Sequence, residues 1–491
     1  MNLNINTKPN VLFINVDHWS GRLISALGHP TILTPTLNEL INNGTAYTNA
    51  YCTTPSCIPA RREIMTGTFS PTHGDRVFDE RLPMPNLPTM PELFSQAGYQ
   101  TFSVGKLHVY PQRDRIGFDD ALLNEEGRHH LGIMKDDYEM FLAENGFAGQ
   151  EYAHGQGNND YTTRAWHLPE YYHHTNWTVR EMSKYIVRRN PDKPSLWHMS
   201  FTAPHPPLVP LPEYLDLYRD IEIDMPYTGE WATNQNQIPF ALRNRRLNSN
   251  SYNDKEIELA RKAFYAMCTH VDHQIRLIIG LLREENILDN TILLFTSDHG
   301  DMLGNHGQFM KDIFYEDSSK IPLILVPQAN INLAIGRNDN RLATQADILP
   351  TLLELCEIKV PKTIEGESLI GDPKRKIIYG EHWEGAMASR MIRNSQYKLI
   401  YYPAGNVRQL FDITNDPNEM TDLSQSRHHT EVLDELTKEL IVRLYGGDLE
   451  WIHQDKLQGI KVTNDLQANG FVNIPTGNKR GLGGQRGLRL N

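Results

Sequence analysis

Cysteine is scarce in this chain, whose 491 residues contain only Cys52, Cys57, Cys268 and Cys356. Four cysteines cannot cross-link a chain of this length, so a disulfide framework is excluded and the fold must rest on an apolar core. Long hydrophobic runs are also missing, since no segment approaches the roughly 18 consecutive apolar residues of a transmembrane helix. The sequence therefore predicts no membrane span.

Basic residues are fewer than acidic ones. The chain has 48 Lys and Arg against 60 Asp and Glu, which gives a formal net charge of −12. Nucleic-acid binding needs a net positive face, so this balance argues against a nucleic-acid partner. A small anion can still bind in a locally basic pocket. Hydrophobic residues make up 39% of the chain, which supplies a sizeable core and excludes disorder for most of its length.

The first residues show no signal-peptide pattern. Residues 1–10 are polar, and the apolar segment 11–14 leads directly into Asn15. A secretory signal would need a charged start, a longer apolar segment and a cleavage site of small residues. We expect a cytoplasmic protein for the sequence as written, and a periplasmic or secreted one if a signal peptide has been removed.

Short apolar segments alternate with helical patterns, which predicts an α/β fold with a large, mostly parallel sheet flanked by helices. The predicted strands are 10–16, 45–51, 100–104, 195–201, 291–296 and 321–326, and the predicted helices are 34–42, 57–65 and 254–285. The weak periodicity of residues 118–189 predicts loops and insertions there.

A turn cluster at positions 371–373 ends this pattern. Beyond it, segments 377–380, 388–393 and 397–402 favour a smaller antiparallel sheet, and 430–444 favours an amphipathic helix. We predict a large α/β domain over residues 1–374 and a smaller C-terminal antiparallel α+β domain over 375–491. Its last residues, 475–491, are predicted to form a flexible tail.

Positions 55–61 read PSCIPAR, a Cys-x-Pro-x-Arg pattern. Pro59 is tolerated in the first turn of a helix, so Cys57 is predicted at a helix N-terminus, where the dipole and free N–H groups favour an anion. Arg61 lies one turn further on the same face. The alternative interpretation is a buried structural cysteine next to Cys52.

Two acidic motifs directly follow predicted strands. Asp17 and His18 come after the first strand, and Asp298 and His299 come after strand 291–296. Open α/β sheets place their sites at the carboxyl ends of strands, so these side chains are expected to meet. Several carboxylates favour a hard cation such as Ca²⁺ or Mg²⁺, and a histidine ligand favours Mn²⁺ or Zn²⁺.

Together these motifs resemble the sulfatase family of the alkaline-phosphatase-like superfamily, in which the signature cysteine is converted to formylglycine. The resemblance implies that a formylglycine-generating maturation enzyme modifies Cys57. It also implies one divalent metal ion, with Ca²⁺ as the first expectation, held by Asp17, His18, Asp298, His299 and residue 57. His18 stands where family members have a second acid, so it is either a ligand or a neighbour that donates to one.

Three more segments match the family's sulfate-binding set. Lys106 and His108 lie in GKLH, His205 lies in TAPHPP, and Lys311 ends GQFMK. By this resemblance Lys106, His205, Lys311 and Arg61 act as catalytic residues that stabilise charge at the reacting ester. His205 or Lys311 would protonate the leaving alcohol, and His108 would take a proton from the second hydroxyl of the formylglycine diol.

The resemblance predicts a sulfatase that hydrolyses a sulfate monoester of a small molecule or a saccharide. His306, His382 and Arg390 are weaker candidates for contacts with the substrate. Two alternatives stay open: a phosphonate or phosphate ester hydrolase of the same superfamily, which His18 favours, and a protein with unmodified Cys57 that only binds sulfated ligands.

Overall fold

The computed structural model describes residues 8–127, 135–233, 238–245, 252–329, 331, 337–372 and 374–462. The strands of the large sheet are β1 (Asn10–Val16), β2 (Thr45–Tyr51), β3 (Gln100–Gly105), β4 (Asp120–Leu123), β5 (Ser195–Ser200), β6 (Thr291–Ser297), β7 (Leu323–Val326) and β8 (Arg337–Thr344). The later strands are β9 (Ile378–His382), β10 (Ser389–Arg393), β11 (Tyr397–Tyr402), β12 (Val407–Asp412), β13 (Ile452–His453) and β14 (Lys456–Leu457).

The α-helices are α1 (Pro35–Asn42), α2 (Cys57–Thr66), α3 (Ser70–His73), α4 (Met90–Gln96), α5 (Asp137–Glu144), α6 (His174–Val187), α7 (Pro212–Asp216), α8 (Glu230–Thr233), α9 (Phe240–Arg245), α10 (Asp254–Glu284), α11 (Glu316–Ser319), α12 (Ile348–Leu355) and α13 (Thr430–Ile441). No helix in the described part of the chain combines the length and the apolar character that crossing a membrane requires.

The large sheet has the strand order β4-β3-β5-β1-β6-β7-β2-β8. Strand β7 runs antiparallel to β6 and β2, and the other neighbouring pairs are parallel. The predicted α/β architecture with a mostly parallel sheet is confirmed.

Strand β1 lies at the centre of this sheet and is buried on both faces. Its side chains alternate, so that Leu12 and Ile14 enter one core with α1, α6 and α10, while Val11 and Phe13 enter the other with α2, α4 and α12. A strand covered on both faces needs apolar residues at successive positions, which is why its sequence reads as one short apolar run.

The C-terminal strands form the predicted smaller antiparallel sheet, in the order β12-β11-β10-β9. Helix α13 covers one face of it, where Leu436 and Leu440 share a core with Leu399 and Leu410. The division of the chain near residue 375 stays a prediction, and the predicted tail 475–491 lies outside the described residues.

The prediction of loops over residues 118–189 was wrong in three places, because β4, α5 and α6 lie there. Strand β4 is an edge strand of four residues, and its first three residues are only half-buried, so its apolar segment is too short to indicate a strand. Helix α6 begins where the His173 side chain accepts a hydrogen bond from the N–H of Thr175. Its buried residues include polar and aromatic ones, among them Thr178 and Trp177, which hide the helical period from sequence analysis.

A buried ion network joins the two sheets. Arg76, from the loop after α3, contacts Glu381 of β9 and Asp448 at 2.9 Å each, and Arg390 of β10 contacts Asp448 at 2.7 Å. Backbone bonds accompany it, since the N–H of Glu381 donates to the carbonyl of Thr53 at 2.8 Å. The small sheet is therefore held directly to the segment that precedes α2.

We expect Asp448→Asn to lower the free energy of unfolding by about 3 kcal/mol, because it leaves two buried guanidinium groups short of a charged partner. Glu439→Gln is the matched control, since Glu439 pairs with Arg443 in an exposed i,i+4 pair worth less than about 1 kcal/mol. Urea unfolding followed by fluorescence measures both. Equal losses in the two variants would contradict the structural role of Asp448.

Candidate active site

The carboxyl ends of four neighbouring parallel strands converge at one edge of the large sheet. Asp17 follows β1, Asp298 follows β6, Lys106 follows β3, and His205 lies in the loop after β5. All four side chains are buried. The sequence motifs thus meet where open α/β sheets place their sites.

Helix α2 brings Cys57 to this edge. The helix begins at Cys57, after Ser56 in extended conformation, and Pro59 is its third residue, as predicted. The Cys57 sulfur lies 3.2 Å from Nε2 of His299 and 3.7 Å from Oδ1 of Asp17. Cys57 is only 1% exposed, so its sulfur belongs to the buried cluster rather than to the surface.

The donor atoms around Cys57 suit a divalent cation. One ligand atom each from Asp17, His18, Cys57 and His299 lie within 4.8 Å of one another. Asp298 joins them, since its Oδ1 lies 3.6 Å from Nε2 of His299. Two carboxylates and an imidazole beside residue 57 form a donor set that fits Ca²⁺, Mg²⁺, Mn²⁺ or Zn²⁺.

Two cationic side chains lie against these carboxylates. Arg61 donates from Nε to Oδ2 of Asp298 at 3.0 Å, and its Nη2 lies 3.6 Å from Asp17. Nη1 donates to the hydroxyl of Ser200 at 2.9 Å. Lys106 contacts the carboxylates of both Asp17 and Glu126. Both cationic side chains are therefore fixed by partners that lie on or directly after different strands.

Lys311 reaches the same cluster from the opposite side. Its Nζ lies 2.6 Å from Nε2 of His18 and 3.4 Å from Nε2 of His205. The other ring nitrogen of His18, Nδ1, lies 2.7 Å from Oδ2 of Asp301. Burial and the neighbouring Lys311 hold the pKa of His18 well below its usual range, so the His18 ring is neutral at pH 7.

Burial and mutual charge shift the pKa values of the acids in opposite directions. Burial first, and then the neighbouring Asp298, raise the pKa of Asp17, against the pull of Lys106. Burial also disfavours the charged form of Asp298, but the positive charges of His299, Arg61, Lys106 and Lys311 together hold the pKa of Asp298 below its usual value. Burial likewise disfavours the charged form of His299, but Asp298 and Cys57 together raise the pKa of His299 to about 9. Two carboxylates this close together therefore need nearby positive charge to stay ionised.

His108 and His382 lie at the margins of the cluster. The backbone N–H of His108 donates to Glu125 at 2.9 Å, and its ring lies edge-on to Phe78 with centroids 5.6 Å apart. His382 lies fully buried at the end of β9, with Nε2 3.5 Å from Oδ1 of Asp312, the residue after Lys311.

The structure does not bring His306 or Arg390 into the cluster as substrate contacts. Both ring nitrogens of His306 bond to backbone, one to the N–H of Gly229 and the other to the carbonyl of Asn418. Arg390 is fully buried, and its guanidinium binds Asp448 and backbone carbonyls within the small sheet. The polar groups of both side chains bond within the fold, and a contact of either residue with the substrate stays a prediction.

Sequence reasoning missed Glu126, Asp301 and Ser200. Asp301 lies two residues after His299, so the same motif could have pointed to it. Glu126 follows β4, in the region interpreted as loops, and its carboxylate is close enough to Asp17 and His205 for the three to form a second possible ligand group. A single serine does not indicate a site in a sequence, and Ser200 is recognised only because β5 brings its hydroxyl to Arg61.

The comparisons with known proteins agree with this geometry. The family model described as "Sulfatase" matches residues 9–358, and the model "N-sulphoglucosamine sulphohydrolase, C-terminal" matches residues 304–444. An arylsulfatase of Clostridium perfringens is 34% identical over 470 residues, which cover 92% of this chain and 97% of that protein.

Solved structures share the fold. The phosphonate monoester hydrolase of Agrobacterium radiobacter superposes with a TM-score of 0.78 at 20% identity, over 89% of this chain and 95% of the other. A protein solved in complex with its substrate D-glucosamine-2-N,6-O-disulfate gives a TM-score of 0.70 at 22% identity, over 88% and 97%.

The large sheet, with its buried cluster at the carboxyl ends of the strands, has the alkaline-phosphatase-like fold of the sulfatases. The family model covers more than half of the chain, and the chain belongs to the sulfatase family. It is a sulfuric ester hydrolase.

Proposed function

We propose that the protein hydrolyses a sulfate monoester with residue 57, converted from cysteine to formylglycine, as the nucleophile. The observation that carries the proposal is the position of Cys57, whose sulfur lies at the start of a buried helix between His299 and Asp17. An oxygen nucleophile at this point would face the cationic side chains of the cluster and the positive end of the helix dipole.

We propose that Asp17, Asp298 and His299, together with residue 57, hold one divalent cation. When bound, such a cation would polarise an ester oxygen and favour the ionised nucleophile. Asp298 raises the pKa of Asp17, since two buried carboxylates repel each other, and a cation between them would relieve this repulsion. Ca²⁺ is the first expectation, and the imidazole of His299 also admits Mn²⁺ or Zn²⁺.

The charge of the cluster favours an anionic substrate. With His299 protonated, four acids and four bases balance in the metal-free cluster. A cation bound by His299 would displace the proton of that ring, so the loaded site would keep a small excess of positive charge that a singly charged ester would offset. The acids are Asp17, Glu126, Asp298 and Asp301, and the bases are Arg61, Lys106, His299 and Lys311.

The other side chains of the cluster stabilise charge and transfer protons. Arg61, fixed by Asp298 and Ser200, holds the oxygens of residue 57 and offsets their charge. Lys106 and Lys311 stabilise the sulfate oxygens as charge spreads over them. His205 or Lys311, which lie 3.4 Å apart, donates a proton to the leaving alcohol. His108 takes a proton from the second hydroxyl of residue 57 when sulfate leaves.

The test compares kcat/KM for p-nitrophenyl sulfate, p-nitrophenyl phosphate and a phenylphosphonate monoester, on protein made together with a maturation enzyme. Aryl esters come first because the Clostridium perfringens relative is an arylsulfatase. We expect sulfate to lead, since the motifs at Cys57, Lys106 and His205 match the sulfatase family. A sulfate ester and a phosphonate monoester each carry one negative charge, so discrimination between them must arise in the transition state. A panel of sulfated saccharides follows if every aryl ester is inert.

A phosphonate rate clearly above every sulfate rate would overturn the substrate assignment and leave the nucleophile standing. Binding of sulfated compounds without turnover, by protein whose residue 57 carries the aldehyde, would favour a binding protein instead. The mass of the tryptic peptide that contains residue 57 reports its state in each preparation.

A further inference from the structure

His18 occupies the position where sulfatases have a second acidic residue, yet its ring is engaged on both sides. Its Nδ1 lies 2.7 Å from Oδ2 of Asp301, and its Nε2 lies 2.6 Å from Nζ of Lys311. All three side chains are buried. His18 also has a φ of +67°, in the left-handed region that residues other than glycine adopt only uncommonly.

The chemistry of the three groups fixes the direction of these hydrogen bonds. A lysine ammonium only donates, so Nε2 of His18 must accept from Lys311. The ring proton therefore sits on Nδ1, which donates to the carboxylate of Asp301. The single lone pair of Nε2 is then used by Lys311 and is not available to a metal ion.

We propose that Asp301 and His18 are positioning residues that hold the Lys311 ammonium over the reacting group, and that His18 is not a ligand of the cation. This inference rests on the proposed sulfatase reaction, in which Lys311 meets the sulfate. A free lysine side chain has four flexible bonds and loses rotamer entropy when it is fixed, so an oriented acceptor reduces the cost of placing the ammonium.

Several hydrogen bonds fix the carboxylate of Asp301, so it can orient the ring of His18. Its Oδ2 also accepts from the hydroxyl of Tyr161, and its Oδ1 accepts from the N–H groups of Leu303 at 2.9 Å and Met310 at 3.2 Å. Met310 precedes Lys311 in the chain. One carboxylate therefore fixes both the backbone that carries Lys311 and the ring that receives its ammonium.

Two substitutions at position 18 separate the roles. His18→Asn tolerates the left-handed backbone and keeps an N–H donor for Asp301, but it has no atom that reaches Lys311. His18→Gln is longer, and its amide oxygen can accept from Lys311. Asp17→Asn is the matched control for loss of a true ligand, and thermal unfolding checks that each variant is folded.

Three quantities are measured on full-length protein: the Kd of Ca²⁺ and of Mn²⁺ added to metal-stripped protein, the Kd of inorganic sulfate on metal-loaded protein, and kcat on the best sulfate ester. We expect both position-18 variants to bind metal within about threefold of wild type, whereas Asp17→Asn loses at least about 100-fold. His18→Asn should weaken sulfate binding about tenfold and lower kcat by about 10- to 100-fold, the scale of a misplaced catalytic group. His18→Gln should recover most of both.

A loss of metal affinity in His18→Asn as large as that of Asp17→Asn would overturn the proposal, because it would make His18 a ligand. Unchanged sulfate affinity in that variant, or no recovery in His18→Gln, would also overturn it. The two binding measurements need no turnover, so they decide the role of His18 even if wild type hydrolyses no sulfate ester, a result that would refute the proposed function separately.

Discussion

Cys57→Ala should lower kcat/KM by about 10⁴-fold or more while the fold stays intact, because the nucleophile is lost and the fixed charges around it remain. Cys57→Ser should do nearly the same. A serine has one hydroxyl and cannot expel sulfate by re-forming an aldehyde. Steady-state kinetics measures the loss, and circular dichroism checks the fold.

Cys268→Ala is the control for this prediction, since Cys268 is equally buried but lies in the long helix α10. We expect it to cost some stability and almost no activity. Full activity in a preparation whose residue 57 is wholly an unmodified thiol would refute the formylglycine mechanism. Low activity in a poorly matured preparation, with thiol at position 57, agrees with it.

Asp17→Asn and Asp298→Asn should each lose bound metal and activity together, with kcat/KM down by roughly 10³-fold, because the cation contributes several kcal/mol to stabilising the transition state. Each substitution replaces a charged oxygen donor by a neutral amide of the same shape, so the size of the side chain is not the cause. Elemental analysis of purified protein and kinetics with added Ca²⁺ or Mn²⁺ check both losses.

Asp272→Asn provides the comparison for a buried carboxylate outside the cluster. Asp272 accepts from the N–H groups of Thr36 at 2.9 Å and Leu37 at 2.8 Å, at the start of α1. We expect this variant to lose stability and to keep its metal. Active wild type without any bound cation would refute the metal site.

Much of the large sheet could be predicted because its strands are buried on both faces and read as apolar runs, as β1 and β6 do. Strand β4 and helix α6 could not. Strand β4 is a short edge strand that is mostly half-buried, and helix α6 buries threonine and tryptophan among its core residues. The antiparallel direction of β7 could not be predicted either, because a strand of four apolar residues does not indicate its direction.

The candidate site could be predicted where chemistry and strand ends coincide, as at Asp17, Asp298 and Cys57. The site could not be predicted where the role of a residue depends on a partner that is distant in the sequence. Glu126 is an ordinary acid in the sequence, and only the fold brings it to Lys106. The motif around His299 could have pointed to Asp301, but only the fold reveals that its partner is His18. The sequence likewise did not indicate that Arg390 pairs with Asp448 in a buried ion network of the fold.

The attachment of the small sheet has a consequence for how such chains can diverge. Strand β9 bonds through Glu381 to the carbonyl of Thr53, four residues before Cys57, and Lys398 of β11 binds Glu316 in α11 at 2.8 Å. An unrelated C-terminal half grafted onto the large sheet would remove these partners from the segment that leads to the nucleophile. The two halves are therefore expected to be inherited together, with new specificities arising from surface loops rather than from exchange of whole modules.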